Sequence, residues 1–217
     1  FELIAGGHSN LTFKVSDSVG VDFVLRRPPL GHVLATAHDM AREHKIISGV
    51  GRTSVPVPRA LGLCEDVDVN DAPFYVMDHV VGTVLHTDEE VVPLSGEARM
   101  DLSRHVVDVL AELHRVDPDD VGLGDLGKKD DYIPRQLRRW TKQWAASKTR
   151  ELPEMEEVQR LLEERMPAQV GATIVHGDYR FGNFIWDDGR IAAVVDWERA
   201  SLGHRMQDLG FVCMPLS

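Results

Sequence analysis

The chain opens on alternation. Phe1 to Ile4 and Leu11 to Val15 have the look of strands separated by the turn Ala5 to Asn10, and Val21 to Arg26 follows the break Asp17-Ser18-Val19-Gly20. A period of two sends successive side chains to opposite faces, so this stretch predicts a three-stranded antiparallel meander. The period then lengthens. Met40, Ile47 and Val50 make an apolar stripe on a helix from about Ala37 to Val50, with Thr36 as its cap and Asp39 in its first turn. Val57 to Cys64 and Phe74 to Val80 read as two more strands around a polar loop, so residues 1–80 comprise five strands and a helix.

From Ser95 the period is helical: Leu102, Val106, Val109, Leu110 and Leu113 recur at three- and four-residue steps, a core-facing stripe. A basic helix lies between Asp131 and Arg150. Ile133, Leu137, Trp140 and Trp144 line one of its faces and are read as core packing, while Arg135, Arg138, Arg139 and Lys142 fall on a solvated side. A second reading has these arginines receive an anionic part of a substrate. Another helix covers about Glu154 to Arg165. Three short apolar runs follow, Ile174-Val175, Phe184 to Trp186 and Ile191 to Val195, with Asp187-Asp188-Gly189 closing the last two into a hairpin. The expected class is α+β, divided into a β-rich part at 1–80 and a mainly helical part at 81–217.

Composition narrows the function. At 217 residues, 43% hydrophobic and 27% charged, the chain reads as an ordinary globular protein. A net charge of −11 argues against nucleic acid or an anionic membrane as partner and mildly favours a cationic substrate. Cys64 and Cys213 sit in apolar surroundings without zinc spacing, which suggests reduced core thiols and a cytoplasmic setting. No apolar run approaches a membrane span and no signal peptide is visible. The start at Phe1 and the stop soon after an apolar run begins suggest a piece of a longer chain. Nothing in the sequence speaks to oligomeric state.

The chemistry concentrates in residues 173–197, TIVHGDYRFGNFIWDDGRIAAVVDW. An apolar run delivers His176-Gly177-Asp178, Asn183 follows five residues after that Asp, and the hairpin returns the chain so that Asp196 lies beside Asn183. A carboxamide and a carboxylate side by side are hard oxygen donors of the kind Mg²⁺ takes while keeping its other positions for water and phosphate. Asp178 then suits the group that orients a hydroxyl and accepts its proton during phosphoryl transfer. A competing signal, Gly122-Leu123-Gly124-Asp125-Leu126-Gly127, matches G-x-G-x-x-G. It follows a helix end and an acidic loop and precedes Lys128-Lys129-Asp130-Asp131, where a dinucleotide fingerprint needs a strand before and a helix after. It is read as a decoy.

H-G-D-x-x-x-x-N followed by a hairpin and D-W-E resembles the aminoglycoside phosphotransferase family of kinase-like small-molecule phosphotransferases. The resemblance extends from GGHSN to Asp208. LRRPPLG, PFYVMD and GLGDLG are most similar to the phosphotransferase domains related to those fused to acyl-CoA dehydrogenases. It implies a bilobal protein-kinase-like fold with a small antiparallel β lobe, and Mg²⁺-assisted transfer from ATP, with GTP possible, to a small-molecule hydroxyl. The acceptor implied is a hydroxyacyl compound or an aminoglycoside-like molecule. In that scheme Gly7, Ser9 and Asn10 belong to the turn covering the nucleotide phosphates, and Arg26 stands where kinases carry a phosphate-holding Lys, with Glu43 as its helix partner. Met77, Asp78 and Val80 belong to the segment whose backbone meets adenine. His176 braces the catalytic loop, Asp178 acts on the hydroxyl, and Asn183 and Asp196 hold the metal. Asp208 matches the family's G-D-P-x-x-D-L, while His204 and Arg205 depart from it. The alternatives are a pseudokinase that binds nucleotide without turnover and, from a third class, a nucleic-acid binder.

Overall fold

The computed structural model describes residues 1–4, 10–29 and 39–214. Five strands and two helices come first: β1 (Glu2–Leu3), β2 (Leu11–Ser16), β3 (Asp22–Arg27), α1 (Met40–Val50), β4 (Ala60–Cys64), a short α2 (Val67–Asn70) and β5 (Phe74–Asp78). The strands form one antiparallel sheet in the order β1-β2-β3-β5-β4. The meander is as expected, and β5 inserts between β3 and β4. Both later strands are shorter than the apolar runs suggest. Pro56 and Pro58 flank Val57 and have no N–H to donate, so β4 begins at Ala60. β5 ends at Asp78, leaving Val80 outside the ladder.

α1 also starts later than periodicity suggests. Asp39 is extended (φ −82°, ψ 94°), and its carboxylate accepts from the Arg42 N–H at 2.8 Å, so it caps the helix instead of sitting in its first turn. Thr36 lies outside the described residues. Met40, Glu43, Ile46, Ile47 and Val50 face inward. A carboxylate on this otherwise apolar face is costly unless paired.

The remainder comprises β6 (Thr83–Val84), α3 (Asp88–Val91), α4 (Gly96–Arg115), α5 (Tyr132–Ser147), α6 (Pro153–Glu164), β7 (Thr173–Val175), β8 (Phe184–Asp187), β9 (Arg190–Val194), β10 (Ser201–Gly203) and α7 (Met206–Cys213). Ser95 caps α4, whose predicted stripe is buried throughout and packs against β7 and β9. β8 and β9 close at the pair Asp187–Arg190 around Asp188-Gly189, both at positive φ (45° and 74°), the primed turn that matches strand twist. β6 joins β8, and β10 pairs with β7.

Two expectations need correction. The aromatic face of α5 is not core: Trp140 is 57% exposed and only Tyr132 of this helix is buried. α5 packs against α6, itself without buried residues, and Trp140 lines a cavity instead. The thiols are not core either, since Cys64 is half-buried and Cys213 exposed. The GLGDLG segment is a chain of turns between α4 and α5, with neither strand before nor helix after, so the decoy reading stands. No helix among the described residues is long and apolar enough to cross a membrane.

Candidate active site

β7 ends at Val175 and delivers His176 into a fully buried position. Its ring is held from both sides: Nδ1 accepts from the Asp178 N–H at 3.2 Å, and Nε2 lies 3.0 Å from the Val195 carbonyl oxygen. An acceptor on one nitrogen and a donor on the other define a neutral imidazole protonated at Nε2. Burial pushes its pKa down, against the opposing pull of Asp208. Trp197 packs on the ring edge to face at 4.7 Å between centroids. His176 is therefore enclosed, and its two ring nitrogens tie the loop to Asp178 and Val195.

Gly177 follows at φ +81°, where a Cβ would lie 2.7 Å from the Arg199 carbonyl oxygen, so the turn admits no side chain. The loop is tied from below by Asp208, at the start of α7 and fully buried. Its Oδ2 accepts from the His176 N–H at 2.9 Å and its Oδ1 from the Gly177 N–H at 2.8 Å, and His114 Nε2 stands 3.0 Å from Oδ2. Asp208 thus supports the loop by hydrogen bonds. Tyr179, which pattern reasoning passed over, donates its hydroxyl to the Val106 carbonyl at 2.9 Å and anchors the loop to α4.

Asp178 is the first polar side chain of this loop with an outlet to solvent, its side chain 17% exposed. Asn183 Nδ2 donates to Asp178 Oδ2 at 3.0 Å and to its carbonyl at 2.8 Å, and Arg180 Nε lies 3.3 Å from the carboxylate. Those bonds use the amide nitrogen of Asn183 and leave its carboxamide oxygen out of the pairing. The hairpin returns the chain as expected: the Val195 N–H donates to the Asn183 carbonyl at 2.9 Å, which sets Asp196 next in line. Asp196 adopts φ 67°, ψ 61°, a left-handed conformation that costs a non-glycine residue about 1 kcal/mol or more and aims the chain away from the strand.

Arg26 joins this centre to the β sheet. Its guanidinium reaches Glu43 Oε2 (3.1 Å), Thr12 Oγ1 (3.4 Å), Asp196 Oδ1 and Glu198 Oε2 (3.5 Å). The predicted Arg26–Glu43 pair is present, and two further carboxylates share the same cation. Glu198 is a residue that pattern reasoning missed. Its only signal is a carboxylate two positions beyond Asp196, and its Oε2 also accepts from Asn10 Nδ2 at 3.0 Å.

Burial works to lower the Arg26 pKa, but Glu43 and then Tyr75, Asp196 and Glu198 outweigh it, so the net direction is up and the cation is permanent. Burial pushes Glu43 the other way, up to about 7 from an ordinary value near 4.5, with Arg26 opposing and Asp196 and Glu198 reinforcing. Its Oε1 has no hydrogen-bond partner. A carboxyl group whose pKa is raised on folding holds a proton that the unfolded chain has released, so stability is greatest below the unfolded value and falls as pH climbs through about 4.5 to about 7. Glu43→Gln is expected to flatten that decline, and urea unfolding at half-unit steps from pH 5 to 8 measures it. An unchanged slope removes Glu43 as its source.

The other predicted residues are placed differently. Met77 is buried in the ladder opposite Val24 and Ala60. The Asp78 N–H is taken by the Arg59 carbonyl at 2.9 Å and its carboxylate by the Arg59 guanidinium, so neither joins the Arg26 cluster. Val80 is half-buried just past the strand. Gly7 and Ser9 lie outside the described residues, whereas Asn10, at 2% exposure, reaches the site through Glu198. A cavity of about 960 Å³ opens beside Glu43, Gly177 and Glu198, with Arg42, Arg139 and Trp140 also on its walls. Of the basic residues on α5, only Arg139 lines it.

A buried His-Gly turn, an Asp–Asn pair and a hairpin returning a second Asp to a basic residue on the sheet form one constellation. The model of the phosphotransferase enzyme family matches residues 1–217. This chain belongs to that family. Among curated proteins, mouse acyl-CoA dehydrogenase family member 10 is 36% identical over 212 residues, which is 96% of this chain and 20% of that protein. The chain therefore spans a fifth of this relative's length. Among solved structures, a protein of Ralstonia eutropha JMP134 described as a candidate aminoglycoside phosphotransferase is 36% identical with a TM-score of 0.87, covering 98% of this chain and 63% of that one. The streptomycin–ATP ternary complex of APH(2″)-IIa, 19% identical with a TM-score of 0.66 over 95% of this chain and 68% of that one, shares the fold. The α+β, kinase-like architecture expected from the sequence is thus the one observed, and the family is one of small-molecule kinases.

Proposed function

We propose that this chain transfers the γ-phosphoryl group of ATP, with GTP as a possible substitute, to a hydroxyl of a small molecule, with Mg²⁺ bound between Asn183 and Asp196. The observation that carries the reading is the meeting of Asp178, Asn183 and Asp196 at the end of one hairpin, with Arg26 against the last of them. Asp178 receives the acceptor hydroxyl and takes its proton as the phosphoryl group leaves the nucleotide. Asn183 aligns that carboxylate through Nδ2. His176 and Asp208 hold the turn.

The donor set suits a hard divalent ion. Three carboxylates, Glu43, Asp196 and Glu198, surround one guanidinium, an excess of negative charge even with Glu43 partly protonated near neutrality. Asp196 and the Asn183 carboxamide oxygen are the residues that would hold the ion, and when bound it would screen phosphate charge during transfer. We further propose residues 1–80 as the nucleotide lobe, with Arg26 and Glu43 on the phosphates and the chain from Met77 through Val80 beside adenine, and residues 81–217 as the catalytic lobe. Since the Asp78 amide is already engaged, Val80 is the candidate for the base. Gly7, Ser9 and Asn10 are proposed to meet the nucleotide phosphates. The acceptor class is a hydroxyacyl compound or an aminoglycoside-like molecule, and two free thiols suit a reducing, cytoplasmic setting.

Asp196→Ala is expected to abolish the Mg²⁺ dependence of nucleotide binding. Calorimetry with a non-hydrolysable ATP analogue, with and without Mg²⁺, tests this on both proteins. No nucleotide binding by the unmodified protein with any divalent ion would overturn the reading. A screen of ATP consumption against hydroxyacyl thioesters, aminoglycosides and amino alcohols then identifies the acceptor.

A further inference from the structure

Arg26 is committed twice. Its Nη2 bonds Asp196 Oδ1 closely and faces Glu198 Oε2 at 3.5 Å, while Nε is held by Glu43 at 3.1 Å. Asp196 is also the carboxylate assigned to the metal, so any bound ion competes with Arg26 for it. If Asp196 were the guanidinium's sole partner on that side, metal binding would strand a charge on a side chain that is 9% exposed. Stranding a buried charge is expensive.

Glu198 removes that cost. It lies two residues past Asp196, on the short helical turn that starts at Trp197, so both carboxylates are presented by one rigid segment. Trp197 is fully buried and its indole N–H donates to the Val194 carbonyl at 2.9 Å, which fixes the segment against β9. The Glu198 carboxylate is itself held in place, its Oε2 accepting from Asn10 Nδ2 at 3.0 Å, with the side chain 19% exposed. Asn10 is the residue just before β2, the strand that pairs with the one carrying Arg26, so the two contacts bring one carboxylate oxygen to β3 and to the chain that leads into its neighbour.

We infer that Glu198 is a positioning residue that holds Arg26 when Asp196 turns to a metal ion. It thereby sets how readily the metal site fills and keeps the guanidinium aligned for nucleotide phosphates. This rests on the phosphotransferase reading above and adds to it a specific coupling between the sheet and the metal carboxylate. Without Glu198, Arg26 retains Asp196 more tightly and metal occupancy requires more Mg²⁺.

The test compares Glu198→Gln and Glu198→Asp with the unmodified protein, reading the Mn²⁺ concentration for half-saturation by electron paramagnetic resonance with a non-hydrolysable ATP analogue bound. Glu198→Gln removes the charge and keeps an oxygen for Asn10, and is expected to raise half-saturation on the order of tenfold. Glu198→Asp keeps the charge and is expected to restore most of the affinity. An unchanged value in Glu198→Gln overturns the inference, as does a shift of equal size in Glu198→Asp, which would make Glu198 a structural tie only. Failure of the unmodified protein to bind Mn²⁺ and nucleotide defeats the underlying phosphotransferase reading instead, so the two failures are separable. Should Glu198→Gln not fold, the Asp variant decides: a shift as large as expected for the Gln variant contradicts a role carried by charge.

Discussion

Asp178→Asn is expected to lower turnover by roughly 10²- to 10⁴-fold, the usual contribution of a positioned general base, while leaving nucleotide affinity within about twofold. The substitution keeps volume and shape, so the loop built by His176, Gly177 and Tyr179 has no reason to move. It removes the charge and the proton acceptor, and it brings an amide up against the Nδ2 of Asn183, which now donates to Asp178 Oδ2 at 3.0 Å. One of the two amides must rotate to restore a donor–acceptor match, and neither arrangement leaves an oxygen that can carry a proton away. Nucleotide binding is expected to survive because the proposed phosphate-holding cluster of Arg26 and Glu43 includes no bond to Asp178. Steady-state kinetics with the acceptor found by screening, combined with calorimetry on the ATP analogue, separates the two effects. Equal turnover in the variant would take Asp178 out of the role assigned to it.

The parts of this site that were legible in the sequence are those for which spacing determines geometry. Five residues from Asp178 to Asn183 and a two-residue Asp188-Gly189 turn bring the second Asp back almost by arithmetic. The stripe on α4 follows from its period, whereas the Arg26–Glu43 pair came from the family resemblance, which puts a basic strand residue against a helix Glu. Glu198 was not legible, because its partners Asn10 and Arg26 lie 188 and 172 residues away and no local pattern links them. The second role of Arg26, as partner of the metal-assigned carboxylate, was hidden for the same reason. Periodicity misled most on α5. Trp140 and Trp144 recur at helical spacing, but the face they define looks onto a cavity and a neighbouring helix that buries nothing, and hydrophobic pattern alone cannot tell that face from a core.

Removing the carboxylate beneath the loop is expected to have the largest effect on stability. Asp208→Ala should cost about 3–5 kcal/mol, the range for taking one partner from a buried, hydrogen-bonded charge and leaving the others behind. The side chain is completely buried and serves three groups: the His176 and Gly177 amides at 2.9 and 2.8 Å, and His114 Nε2 at 3.0 Å. Gly177 is locked at φ +81° against the Arg199 carbonyl, so its amide cannot swing to another acceptor, and His176 and Asp208 are both at zero exposure. Asp208→Asn keeps one acceptor but turns an NH₂ toward a donor, so its loss should be smaller, about 2–3 kcal/mol. Urea unfolding should report both as a fall in midpoint with little change in slope, the behaviour of lost native contacts in an unchanged denatured chain. A loss below about 1 kcal/mol in the Ala variant would mean that these bonds contribute little net stability. The folded fraction of the variant carries a second readout: a loop freed at His176 and Gly177 no longer aims Asp178, so turnover should fall while the Arg26 cluster, which contains no bond to Asp208, still binds nucleotide.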